Sequence, residues 1–316
     1  MTRRQEAGFS LLETLVSLAV LLSVASIVMS GMTQLLKTQG TIANRTAMHT
    51  SVRSVTELLQ QEIGQAGKVS LGAPTDSISL AAAVGLSSPG ISLASTGSLV
   101  PTLYVGEVLT IDVGSLQETI TVGGNSSLPS GTFKKTHAIG APVFALGAFG
   151  TGVVPPCGTA PCGSDATHLK LYGDINGDGN MVYVEYTCSQ GTTSAPGILY
   201  RHQMPYDQTT TKTANDNTMI LLDNVLANPN DPNGNAVPCF AYQTEPLGAG
   251  TCVTNVAVTL TVQTQNKDLQ TGQFQPETKA LLNVAPRNVV EVYATASLVD
   301  PTRAQPTPPT VIALIP

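Results

Sequence analysis

The run Asp174-Ile175-Asn176-Gly177-Asp178-Gly179-Asn180, then Glu185 after five residues counted from Gly179, satisfies the calcium-loop pattern D-x-[DN]-x-[DN]-G-x5-E. In such a loop, oxygens at alternate positions converge on a hard cation while the glycine permits the sharp turn. Asp174, Asn176 and Asp178 would ligate through their side chains, Asn180 through its carbonyl and Glu185 through its carboxylate. Glu185 is the weak member, because Met181 to Tyr186 read as an extended strand and five strand residues span ~16 Å. The same residues also read as a β-hairpin in which Asn176-Gly177 or Asp178-Gly179 makes a tight turn without metal. Both readings stay open on the sequence, and Ca2+ is the one cofactor it suggests.

Cysteine chemistry comes next. There are five, Cys157, Cys162, Cys188, Cys239 and Cys252. Proximity alone favours disulfides Cys157–Cys162 and Cys239–Cys252, with Cys188 left over or displacing one of the others. Zinc is disfavoured, since no second closely spaced pair or adjacent histidine completes four ligands. The four histidines, His49, His137, His168 and His202, are scattered singly. His137 beside Lys134 and Lys135 reads as a solvated loop residue, and His49 as a surface residue of a helix. No phosphate loop, nucleophile elbow or zincin motif is present, so the sequence invites no enzyme.

The third chemical feature is one carboxylate within an apolar run. From Thr14 to Leu36, 23 residues carry no charge. A bilayer core of about 30 Å needs about 20 residues of helix, whereas the apolar part of a cleaved secretory signal is about 7–15 residues. Glu13 stands at the start of this stretch, where burial in lipid is costly unless a partner is found. Arg3 and Arg4 precede it and place the leader on the cytoplasmic side, with the remainder of the chain across the membrane in an oxidising space.

The residues Gly8-Phe9-Ser10-Leu11-Leu12-Glu13-Thr14-Leu15 resemble the processing motif of type IV prepilins and type II secretion pseudopilins. The resemblance implies cleavage by a prepilin peptidase between Gly8 and Phe9, N-methylation of Phe9, and an assembly role for Glu13 as fifth residue of the mature chain. It implies residence in the bacterial inner membrane, then in a filament, with other pilins or pseudopilins and an inner-membrane assembly platform as partners. The new amine at Phe9 would pair with Glu13 of a neighbouring subunit at low local dielectric and set the axial register.

The elements that must position these groups follow from periodicity. Val52, Val55, Leu59 and Ile63 recur at helical spacing, with polar residues between them. With the leader at 1–8 that the resemblance implies, a helix follows at 9–67, membrane-embedded over about 9–36 and amphipathic over about 37–67, with Gly31 and Gly40 as candidate bends or melted points. Residues 68–150 read as a Ser/Gly-rich inserted β-unit, with strands at Val108–Val113 and Glu118–Val122. Residues 151–299 hold recurrent strands near 168–172, 181–186, 197–201, 219–225, 240–242 and 255–262, and a last one at Val289–Ala294. A Pro-rich tail at 300–316 reads as extended. The fold class is α+β, a long N-terminal helix packed on an antiparallel sheet.

The order of these strands is similar to PilW-type minor pilins, in which a phrase like Asp174 to Gly179 precedes one strand and a phrase like Asp223-Asn224-Val225 precedes another. Composition agrees with an exported assembly protein. Charged residues make up 11% against roughly 25% in ordinary domains, aromatics 4% with no Trp, and the net charge is -6. Such a surface cannot neutralise phosphates, which excludes a basic nucleic-acid binder.

Overall fold

A computed structural model describes residues 10–86, 90–97, 100–125, 128–157, 163–207, 212–248, 250–298 and 300–316. The first element is helix α1, Leu11–Gln65. It runs unbroken through Gly31 and Gly40, so neither is a melted point. The chain divides into two compact units, residues 1–50 with 263–276, and residues 51–262 with 277–316.

In the larger unit α1 buries Val52, Val55, Leu59 and Ile63, the stripe its spacing announces. The helix stops where Gly67 turns into the left-handed region at φ 84. A Cβ on Gly67 would stand 2.7 Å from the Phe149 carbonyl oxygen, so only glycine fits. The Gly67 N–H donates to the Tyr172 carbonyl at 2.9 Å, and the Phe149 N–H donates to the Gly67 carbonyl at 2.8 Å.

The next strands are β1 (Ile78–Leu80), β2 (Leu93–Ser95), β3 (Val108–Ile111), β4 (Glu118–Asn125), β5 (Leu128–Gly131), β6 (Val143–Ala145) and β7 (Ala148–Phe149). β1 and β2 form an antiparallel ribbon, and β5-β4-β3-β6 a four-stranded antiparallel sheet. Their shared core holds Leu80, Ile91, Leu109, Ile111, Ile120 and Phe133. Aliphatic side chains alternating with Ser and Thr close this layer, which is why so few charges are needed to fold it.

The main sheet contains β8 (His168–Gly173), β9 (Val182–Cys188), β10 (Gly197–Pro205), β11 (Ile220–Leu226), β12 (Phe240–Leu247), β13 (Gly250–Gln263) and β14 (Pro276–Val284). Its order is β12-β13-β11-β10-β9-β8, with β14 also on β13. Register places Leu169, Tyr186 and Arg201 in one cross-strand row, and Lys170, Glu185 and His202 in the next. Successive rows point to opposite faces. One face therefore meets α1, while the other is covered by the C-terminal residues.

Two expectations are overturned there. Residues 287–298 form helix α2 (Arg287–Leu298), not a strand at Val289–Ala294. β-branched composition favours a strand, but Val289 and Val292 are buried at helical spacing while Glu291 is exposed, and packing overrides propensity. Asn288 Nδ2 donates to the Gln65 carbonyl at 3.0 Å and the Ala66 carbonyl at 3.3 Å, capping the end of α1. Nor is the tail from Asp300 extended: β15 (Ala304–Gln305) pairs in parallel with β7, and α3 (Pro309–Leu314) buries Val311 and Leu314 against Tyr172, Tyr183 and Met204. Pro309 opens α3, where a missing N–H is harmless.

Candidate assembly site

Gly8 and Phe9 lie outside the described residues. The described helix begins beside them with Ser10 as its cap. The Glu13 N–H donates to Ser10 Oγ at 3.3 Å, and the Ser10 N–H donates to Glu13 Oε2 at 3.4 Å. This reciprocal pair is a capping box, S-x-x-E, satisfying two of the orphan donors at the helix start. Beyond it the apolar side chains have no cover among the described residues: Leu11 is 83% exposed, and Leu15, Leu22 and Ile27 are exposed alike. An 18-residue window here has mean hydropathy 2.3. Three hydroxyls within the run are satisfied internally, those of Ser17, Ser23 and Thr33, each donating to the carbonyl four residues back at 2.8 Å. A helix so built suits lipid or the apolar flanks of other helices.

A family model for the prokaryotic N-terminal methylation motif matches residues 3–29. The chain carries that motif. The motif supports a type IV pilin-like or pseudopilin-like subunit and implies, in general, interaction with other pilins and with a prepilin peptidase. No curated protein and no solved structure matches this chain. With the apolar helix, the methylation motif is consistent with a membrane-anchored protein that assembles into a pilus.

Further along α1, in the larger unit, a buried carboxylate fastens helix to sheet. Glu62 accepts from Arg201 Nε at 3.0 Å and from Arg201 Nη2 at 2.5 Å, both at Oε1. The Tyr186 hydroxyl donates to Glu62 Oε2 at 2.5 Å. Burial and the adjacent Glu62 carboxylate push the Tyr186 hydroxyl well above its ordinary value, so it remains a donor. Glu62 was not singled out by sequence reasoning; its signal is position, seven residues after Val55 and three after Leu59 on the buried stripe.

Residues 174–181 are the connection of the β8–β9 hairpin, closed by the Gly173↔Val182 pair, and 182–185 already belong to β9. Asp174 is buried and its Oδ2 accepts from Lys68 Nζ at 2.6 Å, while Oδ1 accepts from the Gly179 N–H at 3.2 Å. Asp178 Oδ1 accepts from the Asn180 N–H at 2.8 Å. Glu185 lies within β9, accepting from Lys212 Nζ at 2.8 Å and from the Tyr183 hydroxyl at 2.9 Å. Among the described residues no group of three His, Cys, Asp or Glu side chains could hold a metal. Of the carboxylates in the calcium pattern, Asp174 and Glu185 are thus each taken by a lysine and Asp178 by the backbone of its own turn. Asn180 does line a cleft of about 430 Å3 with Met181, Met204, Tyr206 and Asp207.

Cys239 pairs with Cys188, 51 residues away, and Cys252 is a buried free thiol, so the Cys239–Cys252 expectation is corrected. Sequence proximity failed because β12 and β13 pair Cys252 with Glu245, whereas Cys239 precedes β12 and Cys188 ends β9. Burial raises the Cys252 thiol above its usual range. Cys157 is disulfide-bonded, while the expected partner Cys162 lies outside the described residues.

His137 is not solvated. Its ring is buried between two carboxylates, Nδ1 3.2 Å from Asp112 Oδ2 and Nε2 2.7 Å from Glu118 Oε1. A backbone hydrogen bond from Val113, then the His137 side chain, lowers Asp112 below its ordinary value. This clasp ties the end of β3 to the start of β4 in the inserted unit. Signals scattered over 25 residues could not announce it.

Proposed function

We propose that this chain is a minor pilin of a type IV pilus, a structural subunit without a catalytic role, of the PilW-like type. The leader is removed after Gly8, Phe9 is N-methylated, and the helix that follows holds the subunit in the inner membrane until it is drawn into a filament. There the exposed apolar stripe from Leu11 to Met29 packs against neighbouring helices. Glu13 exchanges its bond with Ser10 for the amine of an adjacent subunit, a stronger charge-assisted partner. The single observation that carries this reading is the coincidence of the methylation motif over residues 3–29 with an uncovered apolar helix starting at Leu11. The inserted β1–β6 unit and overall length favour a pilus over a secretion pseudopilus of the J type, which shares the motif. Mass spectrometry of the protein from its native membrane tests the reading. A chain beginning at N-methylated Phe9 is expected, and an intact Met1 or a cleavage site elsewhere refutes it. Loss of pili on deletion of the gene, with secretion intact, distinguishes the two machines.

A further inference from the structure

The turn between β13 and β14, residues 264–275, folds against α1 within the smaller unit. Asn44 Nδ2 donates to the Asn266 carbonyl at 2.6 Å, and the Asn266 N–H donates to Asn44 Oδ1 at 3.4 Å. Gln270 Nε2 donates to Thr38 Oγ1 at 3.1 Å, and Arg45 Nε donates to Gln275 Oε1. Between these bonds lies Gly40, where a Cβ would stand 3.0 Å from Leu269 Cδ1. The turn therefore clasps the helix from Thr38 to Arg45, and the glycine admits it.

The position of this clasp along the helix matters. The uncharged stretch from Thr14 to Leu36 rises about 34 Å, slightly more than a hydrocarbon core of about 30 Å. Its outer end falls at Leu36 and Lys37, and the clasp begins at the next residue. The turn is thereby held within a helical turn or two of the lipid headgroups.

Its chemistry suits that place. Leu269 at the tip is 59% exposed, and exposed Lys267 holds its Nζ 5.6 Å from the centre of the Phe274 ring. The neighbouring acid is withdrawn: Asp268 is buried, with Oδ1 accepting from the N–H groups of Gln270 at 2.7 Å and Thr271 at 3.0 Å, and Oδ2 accepting from Gln275 Nε2. The charged residues of 14–50 and 263–276 are Lys37, Arg45, Lys267 and Asp268. In a chain of net charge -6, this segment turns its acid inward and leaves Lys37 and Lys267 outside.

We infer that the 264–275 turn is a membrane-surface contact, in which Leu269 enters the interface of the bilayer and Lys37 and Lys267 meet anionic lipid headgroups. The inference rests on α1 crossing that bilayer. The contact fixes the height and rotation of the helix in the membrane before assembly, because the clasp joins the turn to one helix face.

The chain contains no Trp, so single tryptophans report without background. The full chain is reconstituted into phosphatidylethanolamine–phosphatidylglycerol vesicles carrying shallow-brominated or deep-brominated lipid, with Val20→Trp, Leu269→Trp or Asn233→Trp. Val20→Trp is expected to be quenched by deep bromines, Leu269→Trp to shift to the blue and be quenched by shallow ones, and Asn233→Trp to be unaffected. Adding Lys37→Glu and Lys267→Glu to Leu269→Trp should weaken the shallow quenching, which separates lipid contact from the taste of tryptophan for interfaces. If Val20→Trp escapes quenching, the transmembrane reading itself fails. If Val20→Trp is quenched while Leu269→Trp behaves like Asn233→Trp, or if the lysine changes have no effect, the membrane contact alone is overturned.

Discussion

Glu13 and Glu62 are two carboxylates of one helix with opposite surroundings. Glu13 is exposed and, among the described residues, its carboxylate is bound to the Ser10 cap, a bond of the order of 1 kcal/mol that a fixed positive charge would displace. Glu13→Ala is therefore expected to leave membrane insertion unchanged and to deplete the subunit from sheared filaments. Equal recovery of mutant and wild type in the filament fraction would count against an assembly role. Glu62, by contrast, has its side chain 4% exposed and satisfied by Arg201 and Tyr186. Removing one member leaves an uncompensated charge, so Glu62→Ala should lower unfolding free energy in urea by about 3 kcal/mol. Glu62→Ala together with Arg201→Met should lower it by less than the two single changes combined, because the partners are coupled. Glu13 was legible from sequence because a charge beside 23 uncharged residues stands out. Glu62 was not, because it lies among Gln60, Gln61 and other polar residues, and only its phase on the helix marks it as buried.

Helix α1 keeps its helical conformation through three glycines, since none of Gly31, Gly40 and Gly64 adopts a positive φ. It ends at a fourth, Gly67. Gly67→Ala meets both a left-handed φ and the Phe149 carbonyl, and is expected to destabilise the larger unit by about 2 kcal/mol or more, read as a lowered thermal midpoint. Cys188–Cys239 joins the end of β9 to the start of β12 across 51 residues. Loop-closure entropy assigns such a link about 4 kcal/mol, so Cys188→Ser with Cys239→Ser should bring a loss of that order in denaturant titration under non-reducing conditions. An unchanged midpoint would show that the sheet needs no covalent link. Strands such as β9 and β13 were plain from their apolar runs. Helix α2 was misread because Val289, Val290 and Val292 satisfy a strand pattern locally, and only contact with the end of α1 selects the helical phase.

Across the larger unit, the inserted sheet and the C-terminal residues are joined at Gln305, whose Oε1 accepts from the Val108 N–H at 2.8 Å. Next to this joint, Glu107 is wholly buried, with Oε2 accepting from the Tyr104 N–H at 3.2 Å and Oε1 without a partner among the described residues. Burial, opposed by that backbone hydrogen bond, raises its carboxyl from 4.5 to about 8. The folded state then holds a proton that the unfolded chain releases. Its stabilising effect is full below about pH 4.5 and is lost as pH rises through about 8. Thermal midpoints should therefore fall over this range in the wild type, and Glu107→Gln should flatten the fall; identical profiles would refute a neutral buried Glu107. The sequence by itself determined the methylation motif, the long apolar helix and the class of the fold. Those depend on hydropathy, period and one contiguous motif, all of which act over neighbouring residues. Tertiary structure alone decided that Asp174 and Glu185 serve lysines, that Cys239 meets Cys188, that His137 is buried between two acids and that the tail folds back as β15 and α3. Each of these joins residues far apart in the chain, where the partner is selected by sheet register and by the face on which a side chain emerges, and neither is written in local spacing.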